Sequence, residues 1–206
     1  MARRDDATSP IVVLGLGGSL REPSQSERAL RIALEGAAAA GATTEIITGT
    51  GLDLPLYPSS HLPDHEGVHR LLAAARRADG LILASPAYHG TISGAVKNAL
   101  DYMQVLMDDD PPYLDGRAIG VLSTGMGTQA VVQTIDALRH VVHALRAWPT
   151  PLGVAIHDAN SVYRDGEVVD AATIERLHMI GAQVVEFARA RRLSSGRQEQ
   201  DVVVTP

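Results

Sequence analysis

The sequence contains no cysteine, and this absence removes several kinds of chemistry. A disulfide, a thiolate metal site, an iron–sulfur cluster and a cysteine nucleophile all require a sulfhydryl group. Any redox chemistry must therefore come from a bound cofactor. Aromatic residues make up only 3% of the chain, whereas the hydrophobic fraction is 45%. We therefore expect a core of Ala, Val, Leu and Ile, and 206 residues suit one domain of ordinary size.

The sequence also lacks a basic excess and a long apolar run. The formal net charge is −6, which argues against a nucleic-acid partner, because such a partner favours a basic face. The first ten residues are polar and charged, and the apolar run that follows is too short for a signal peptide or a membrane span. We therefore expect a cytoplasmic protein that acts on a small molecule, without a membrane partner.

The hydrophobic pattern alternates between short apolar runs and longer helical segments along the whole chain. The predicted strands are Ile11–Gly17, Thr44–Thr48, Gly80–Ser85, Ala118–Ser123 and Leu152–Ile156. The predicted helices are Ser24–Ala40, Asp64–Ala78, Ser93–Leu106, Thr128–Arg146 and Ala171–Arg192. This alternation indicates parallel strands that are joined by right-handed crossovers, with helices on both faces.

Five such strands suit an α/β flavodoxin-like three-layer sandwich, with a parallel sheet in the order 2-1-3-4-5. We expect one domain over residues 11–193, a flexible N-terminus at 1–10 and a disordered tail at 194–206. In this arrangement a ligand lies beyond the carboxyl ends of strands one, three and four. The loops after these three strands are therefore where a binding site is expected.

The first of these loops, residues 17–26, has the composition of a phosphate-binding loop. It leads from a buried strand into a helix, whose free N–H groups and positive dipole end favour an anion. The side chains expected to contact the anion are Ser19, Arg21, Ser24, Gln25 and Ser26. A serine N-cap beside a surface arginine is the simpler interpretation, but three serines and an arginine in one loop favour phosphate binding.

The same loop is a poor dinucleotide fingerprint. Gly15 and Gly17 begin a G-x-G-x-x-G pattern, but Leu20 occupies the last position, where glycine is needed for close packing of helix and strand. The serines favour a terminal monophosphate, such as that of FMN, over a bridging pyrophosphate.

The second and third loops are rich in residues that let backbone approach a ligand. The second loop contains Pro86, Ala87, Tyr88, His89 and Gly90, and its backbone can present N–H and C=O groups to a planar heterocycle. Tyr88 could cover the apolar end of such a ring. The third loop contributes Ser123, Gly125, Met126 and Gly127 just before a helix.

Residues 85–101 closely resemble the signature S-P-E-Y-x-G-S-x-x-G-x-x-K-N-x-x-D of the NADPH-dependent FMN reductase family. The first loop is similar to the G-S-x-R-x-x-S phosphate loop of the same family, and the resemblance extends over about residues 11–190. It implies FMN as cofactor and NADPH or NADH as co-substrate, with the chemistry carried by N5 of the flavin and no catalytic side chain. For His89 we expect a backbone contact, and for Lys97, Asn98 and Asp101 structural roles.

Three departures from the family pattern leave alternatives open. Ala87 stands where the family commonly has Glu, and His89 stands where Asn is frequent. The acidic loop around Asp108–Asp110 is the third departure, because such a loop is unusual beside the expected pocket. The first hypothesis is an NAD(P)H-dependent flavin or quinone oxidoreductase. The second is an FMN-dependent dehydrogenase of bacterial secondary metabolism that oxidises a ring of the 2-amino-4-deoxyisochorismate type. The third is a flavodoxin-like electron carrier, against which Arg21 argues.

A homodimer or homotetramer is expected as well. The predicted helices Ser93–Leu106 and Thr128–Arg146 carry apolar residues over more than one face, which predicts burial against a partner chain. The family resemblance favours the same assembly.

The segment His65–His69 fits the zinc-peptidase pattern H-E-x-x-H, but we expect it to be a chance match without a metal. It begins a helix just after Pro63 and lies far from the three loops in the expected topology. Chelator treatment should therefore leave oxidoreductase activity unchanged, and so should the double variant His65→Ala/His69→Ala. Loss of activity that returns when zinc is added would overturn this interpretation.

Overall fold

A computed structural model describes residues 9–58, 61–158, 162–164 and 167–202. The five strands are β1 (Ile11–Gly17), β2 (Ala42–Ile47), β3 (Gly80–Pro86), β4 (Ala118–Thr124) and β5 (Trp148–Ile156). The helices are α1 (Gln25–Ala39), α2 (Glu66–Arg77), α3 (Gly94–Asp101), α4 (Thr128–Ala144) and α5 (Ala171–Val202). Short 3-10 helices span Gly49–Leu52 and Tyr102–Leu106.

The strands form one parallel sheet in the order β2-β1-β3-β4-β5, as predicted. Two apolar clusters cover its faces, because side chains alternate along each strand. One cluster joins the sheet to α2, α3 and α4, and the other joins it to α1 and α5. The predicted three-layer flavodoxin-like sandwich is thus confirmed.

Several elements differ from the sequence prediction, and the largest differences have physical reasons. Strand β5 begins four residues early, at Trp148, because Pro149 and Pro151 are tolerated in a strand at the edge of the sheet. A two-stranded hairpin, β6 (Tyr163–Arg164) and β7 (Glu167–Val168), precedes α5 and was not predicted, because two-residue strands carry no periodic signal.

Helix α5 continues past its predicted end at Arg192 to Val202, into the segment expected to be a disordered tail. Arg, Gln and Glu dominate residues 197–200, and these residue types have favourable helix propensities. The expected flexible N-terminus falls almost wholly on residues 1–8, which lie outside the described residues, as do the last four residues of the tail. Among the described residues, no helix has the length and apolarity needed to cross a membrane.

The apolar faces of α3 and α4 lie inside the chain, so the helix-face argument for a partner is wrong. Val96, Ala99, Leu100, Met103 and Leu106 are each at most 3% exposed. The turn after Asp101 tightens into a 3-10 helix, which carries the later residues of this set into the core. On α4, only Val132 of the predicted apolar set is exposed. The oligomer itself stays a prediction that depends on the family resemblance.

The acidic loop at Asp108–Asp110 does not lie beside the predicted ligand loops. It leads into β4 and therefore belongs to the amino-terminal edge of the parallel sheet, opposite the ligand edge. Asp109 accepts two hydrogen bonds from Arg76, at 2.8 and 3.2 Å, and this hydrogen-bonded guanidinium lowers the pKa of the carboxyl group. The loop is thus paired with the end of α2.

Helices α1 and α5 pack so closely that their backbones are nearly in contact. A methyl group at Gly181 would overlap the backbone of Ala33 and Ala37, and one at Gly36 would overlap the backbone of His178. Glycine at both positions therefore sets the spacing of these two helices, one of which begins at the first ligand loop.

Gly181→Ala should lower the free energy of unfolding by about 1–3 kcal/mol, the usual cost of overpacking a core. Gly94→Ala is the matched control, because a methyl group there meets no atom within 4 Å. Chemical denaturation of both variants and the wild type measures the difference. An equal effect of the two substitutions would contradict the close packing of α1 and α5.

Candidate functional site

The loops after β1, β3 and β4 enclose a cleft of about 920 Å³ at the carboxyl edge of the sheet. Its volume lies within the range of small-molecule and cofactor sites. Of the residues that the sequence predicted, the cleft is lined by Ser19, Arg21, Ser24, Gln25, Ser26, Pro86, Ala87, Tyr88, Gly125, Met126 and Gly127. Sequence reasoning missed Pro23, Arg28, Thr124, Ala130 and Tyr163, which also line it.

At the start of each loop, a backbone N–H group donates a hydrogen bond to a carbonyl of the adjacent strand. Gly18 N–H donates to the carbonyl of Ala84 at 3.0 Å, Ala87 N–H to Thr124 at 2.9 Å, and Gly125 N–H to Ile156 at 3.0 Å. Each of these bonds joins a loop to the next strand of the sheet. A methyl group at Gly17 would overlap the backbone of Ala84, so only glycine allows β1 and β3 to approach this closely.

The first loop presents a polar helix N-terminus to the cleft. Ser24 is the N-cap of α1, and its Oγ accepts a hydrogen bond from Glu27 N–H at 3.2 Å. Ser26 Oγ lies 3.3 Å from Ser24 Oγ, and both side chains are buried. The N–H groups of Gln25 and Ser26 have no acceptor within the helix, because they belong to its first turn. This arrangement suits an anion at the end of the cleft nearest α1.

Ser19 and Arg21 complete this end of the cleft. Ser19 Oγ accepts a hydrogen bond from Arg21 N–H at 3.0 Å and lies 3.3 Å from the hydroxyl of Tyr88. The Arg21 side chain is exposed, and no described carboxylate forms an ion pair with it. A fixed positive charge therefore stands beside the unsatisfied N–H groups of α1.

The second loop forms a tight turn behind Tyr88. Thr91 N–H donates to the carbonyl of Tyr88 at 3.2 Å, and the two central residues have positive φ, 52° at His89 and 81° at Gly90. Both residues lie outside the cleft lining. Asn, Asp and His adopt this conformation more readily than other non-glycine residues. The turn thus explains why His89 can stand where Asn is frequent in the resembled family.

Other residues of the signature are engaged in contacts within the chain. Ser85 Oγ accepts from Ser93 N–H at 2.9 Å, and Ser93 caps α3. Asn98 donates to the carbonyls of Leu54 and Pro55 at 3.2 and 2.9 Å. Lys97 and Asp101 form an ion pair at 2.6 Å. These contacts support the structural roles expected of Lys97, Asn98 and Asp101, which stay a prediction.

The third loop runs from β4 into the first turn of α4. Met126 is 66% exposed and Tyr88 is 49% exposed, so two large side chains border an open part of the cleft. Ser123 does not line the cleft: it is fully buried, and its Oγ has no hydrogen-bond partner among the described residues. Thr124 lines the cleft in its place, because successive side chains of a strand point to opposite faces.

Tyr163, which belongs to the hairpin that was not predicted, lines the cleft on the side of α1. Its hydroxyl donates to the carbonyl of Gln25 at 2.7 Å, and its side chain is 8% exposed. Burial raises the pKa of this phenol, so Tyr163 is a neutral hydrogen-bond donor at physiological pH. The sequence offers only one feature that could have pointed to Tyr163, namely that tyrosine is rare in this aromatic-poor chain. That feature does not indicate where the residue lies in the fold.

The H-E-x-x-H segment lies at the start of α2, away from the cleft. His69 Nε2 lies 2.9 Å from Asp64 Oδ1, and His65 is the N-cap residue of the helix. Among the described residues, no group of three or more His, Asp or Glu side chains is arranged to hold a metal ion. The absence of a functional metal stays a prediction.

Comparison with known proteins agrees with the geometry of the cleft. Residues 11–161 match the family model described as NADPH-dependent FMN reductase. The chain is 32% identical over 125 residues to an FMN-dependent NADPH-azoreductase of Staphylococcus saprophyticus, covering 58% of this chain and 61% of that protein. It is 30% identical over 142 residues to the NADPH-dependent FMN reductase ArsH of Shigella flexneri, covering 69% and 54%. The match thus spans less than two thirds of the length of either relative.

Solved structures show the same fold at lower sequence identity. The flavoenzyme NAD(P)H:(acceptor) oxidoreductase FerB of Paracoccus denitrificans superposes with a TM-score of 0.71 at 21% identity, covering 88% of this chain and 98% of that one. A flavone reductase gives a TM-score of 0.67 at 22% identity, covering 87% and 63%. These likenesses establish the flavodoxin-like architecture.

His89→Asn and His89→Gly should bind FMN as the wild type does, because only the positive φ at this position matters. His89→Val should destabilise the turn by about 1–3 kcal/mol, the usual cost of a residue held in an unfavourable backbone region. FMN titration and chemical denaturation of the three variants test this. If His89→Asn and His89→Gly bind FMN normally but lose activity, His89 takes part in the chemistry through its side chain.

Proposed function

The chain belongs to the NADPH-dependent FMN reductase family, and on this premise we propose that it is an FMN-dependent oxidoreductase. It would take electrons from NADPH or NADH and pass them to a flavin or quinone-type acceptor. The single observation that carries the proposal is the cleft at the carboxyl edge, with an anion-binding helix terminus at one end and an open gap between two loops at the other.

The α1 end of the cleft fits the phosphate of FMN. The first-turn N–H groups of α1, the hydroxyls of Ser19, Ser24 and Ser26 and the guanidinium of Arg21 are all donors. A phosphate monoester is an acceptor that carries close to two negative charges at neutral pH. The donors and the charge of this end therefore complement that group.

The part of the cleft between the second and third loops fits a planar ring. Ala87 and Tyr88 of the second loop face Gly125 and Met126 of the third loop across the cleft. A methyl group at Gly125 would lie 3.2 Å from Ala87 Cβ, so glycine lets the second and third loops approach each other closely. The first turn of α4 begins at Thr128, and its positive dipole end favours negative charge on a ring bound there.

The chain's own contribution to the reaction would be orientation and electrostatics. The titratable side chains among the described cleft residues are Arg21, Arg28, Tyr88 and Tyr163, with no Asp, Glu, His or Lys. When bound, FMN supplies hydride acceptance and donation at N5, which needs no acid or base from the protein. The open rim at Tyr88 and Met126 gives a nicotinamide or an acceptor access to one face of the ring.

We also propose a cytoplasmic location and a homodimeric or homotetrameric state. An enzyme that consumes NADPH or NADH works where these nucleotides are kept reduced, and the family resemblance implies an oligomer.

The test is an equilibrium titration of the apoprotein with FMN and with riboflavin, followed by anaerobic addition of NADPH or NADH. We expect FMN to bind much more tightly than riboflavin, because riboflavin lacks the phosphate. We expect either nucleotide to bleach the visible flavin absorbance rapidly, and a quinone to restore it.

Two outcomes would contradict the proposal. A protein that binds FMN but is reduced by neither nucleotide would instead be a dehydrogenase of another metabolite or an electron carrier. A protein that binds neither flavin would reject an FMN-dependent function altogether.

A further inference from the structure

A second arginine, Arg28, lines the cleft on the first turn of α1, although neither loop motif includes it. We propose that Arg28 is a second guanidinium that contacts the FMN phosphate, opposite Arg21; this inference rests on the FMN site proposed above. Three observations carry it: the position of Arg28 on the helix, its freedom from an ion pair and the wall that Tyr163 builds beside it.

Helix geometry directs the Arg28 side chain toward the phosphate loop. Arg28 lies four residues after the N-cap Ser24 and three after Gln25, so all three share one helix face. Long helical side chains lean toward the N-terminus of their helix. The guanidinium of Arg28 therefore extends toward the hydroxyl and N–H groups that we assign to the phosphate.

The neighbouring charges of α1 are paired with one another and leave Arg28 available. Glu27 accepts a hydrogen bond from Arg31 at 2.7 Å and another from the hydroxyl of Thr48 at 3.0 Å. No described carboxylate forms an ion pair with Arg28. A cation in the first turn is opposed by the helix dipole, so an unpaired arginine there is stabilised when an anion binds.

Tyr163 lines the cleft together with Arg28, beside helix α1. Its buried ring lies close enough for the charge of Arg28 to act on the phenol, and its hydroxyl is already engaged with the carbonyl of Gln25. The hairpin that carries Tyr163 thus forms a wall beside α1. Two arginines, Arg21 and Arg28, therefore line the same cleft beside the N-terminus of α1.

Two guanidinium groups match the charge of the ligand better than one. A phosphate monoester carries about −1.5 to −2 charges at neutral pH, and charge-assisted hydrogen bonds from arginine suit its oxygens. Arg28 should therefore increase the preference for FMN over riboflavin without affecting how the ring is bound.

The test compares Arg28→Ala, Arg28→Gln, Arg21→Ala and the Arg21→Ala/Arg28→Ala double variant with the wild type. Arg31→Ala is the matched control, because Arg31 lies on the same helix but pairs with Glu27 and does not line the cleft. Fluorescence titration of each apoprotein gives the affinity for FMN and for riboflavin. We expect either Arg28 variant to bind FMN about tenfold more weakly, the usual effect of losing one charged hydrogen bond.

Riboflavin affinity should be unchanged in every variant, and Arg31→Ala should bind FMN as the wild type does. Four outcomes would overturn the role of Arg28. They are unchanged FMN affinity in both Arg28 variants, an equal loss for FMN and riboflavin, an equal loss in Arg31→Ala, and a raised KM for NADPH with normal FMN affinity. If the wild type binds no FMN, the proposed function fails instead.

Discussion

Three backbone hydrogen bonds at the carboxyl edge of the sheet hold the site together. Gly18, Ala87 and Gly125 each donate to a carbonyl at or near the end of the neighbouring strand, so the ligand loops begin where the sheet ladder ends. These bonds set the first, second and third loops at one level, and the cleft between them follows from that alignment. Because the donors are main-chain groups, the alignment depends on strand order and on Gly17, where a side chain would separate β1 from β3.

The parts of the site that follow from strand order could be predicted from the sequence. Strands β1, β3 and β4 are buried on both faces and read as continuous apolar runs, so their ends could be placed to within a residue. Parallel topology then brings the residues that follow them to one edge, and eleven of the predicted contacts do line the cleft. The prediction for Ser123 was wrong by one residue, because Ser123 is buried and the next residue, Thr124, lines the cleft. Neighbouring side chains of a strand point to opposite faces, so an error of one residue in the end of β4 selects the wrong side chain.

The residues that sequence reasoning missed depend on tertiary contacts. Tyr163 reaches the cleft through a hydrogen bond to Gln25, 138 residues away in sequence, and its hairpin has two-residue strands without periodicity. Arg28 lies on a helix face whose orientation is set by the close packing of α1 on α5 at Gly36 and Gly181. The apolar residues of the predicted helix Ser93–Leu106 gave a wrong prediction of a partner-facing surface for a related reason. A change from α-helix to 3-10 helix at Tyr102 rotates later side chains into the core, which the periodicity of a regular helix does not anticipate.

The charge of the cleft differs in sign from that of the chain. The whole sequence has a net charge of −6, yet the described cleft residues include two arginines and no carboxylate. Ala87 contributes to this contrast, because the signature that the chain resembles has Glu at that position, and a carboxylate there would offset one guanidinium. A cationic cleft on an acidic protein attracts anions to the site while the remaining surface repels them. FMN and the pyridine nucleotides are both anions, so the same field favours the cofactor and the electron donor that we propose. Because the described cleft residues include no Asp, Glu, His or Lys, selection among the acceptors that we propose would depend on shape and on stacking at the open rim formed by Tyr88 and Met126.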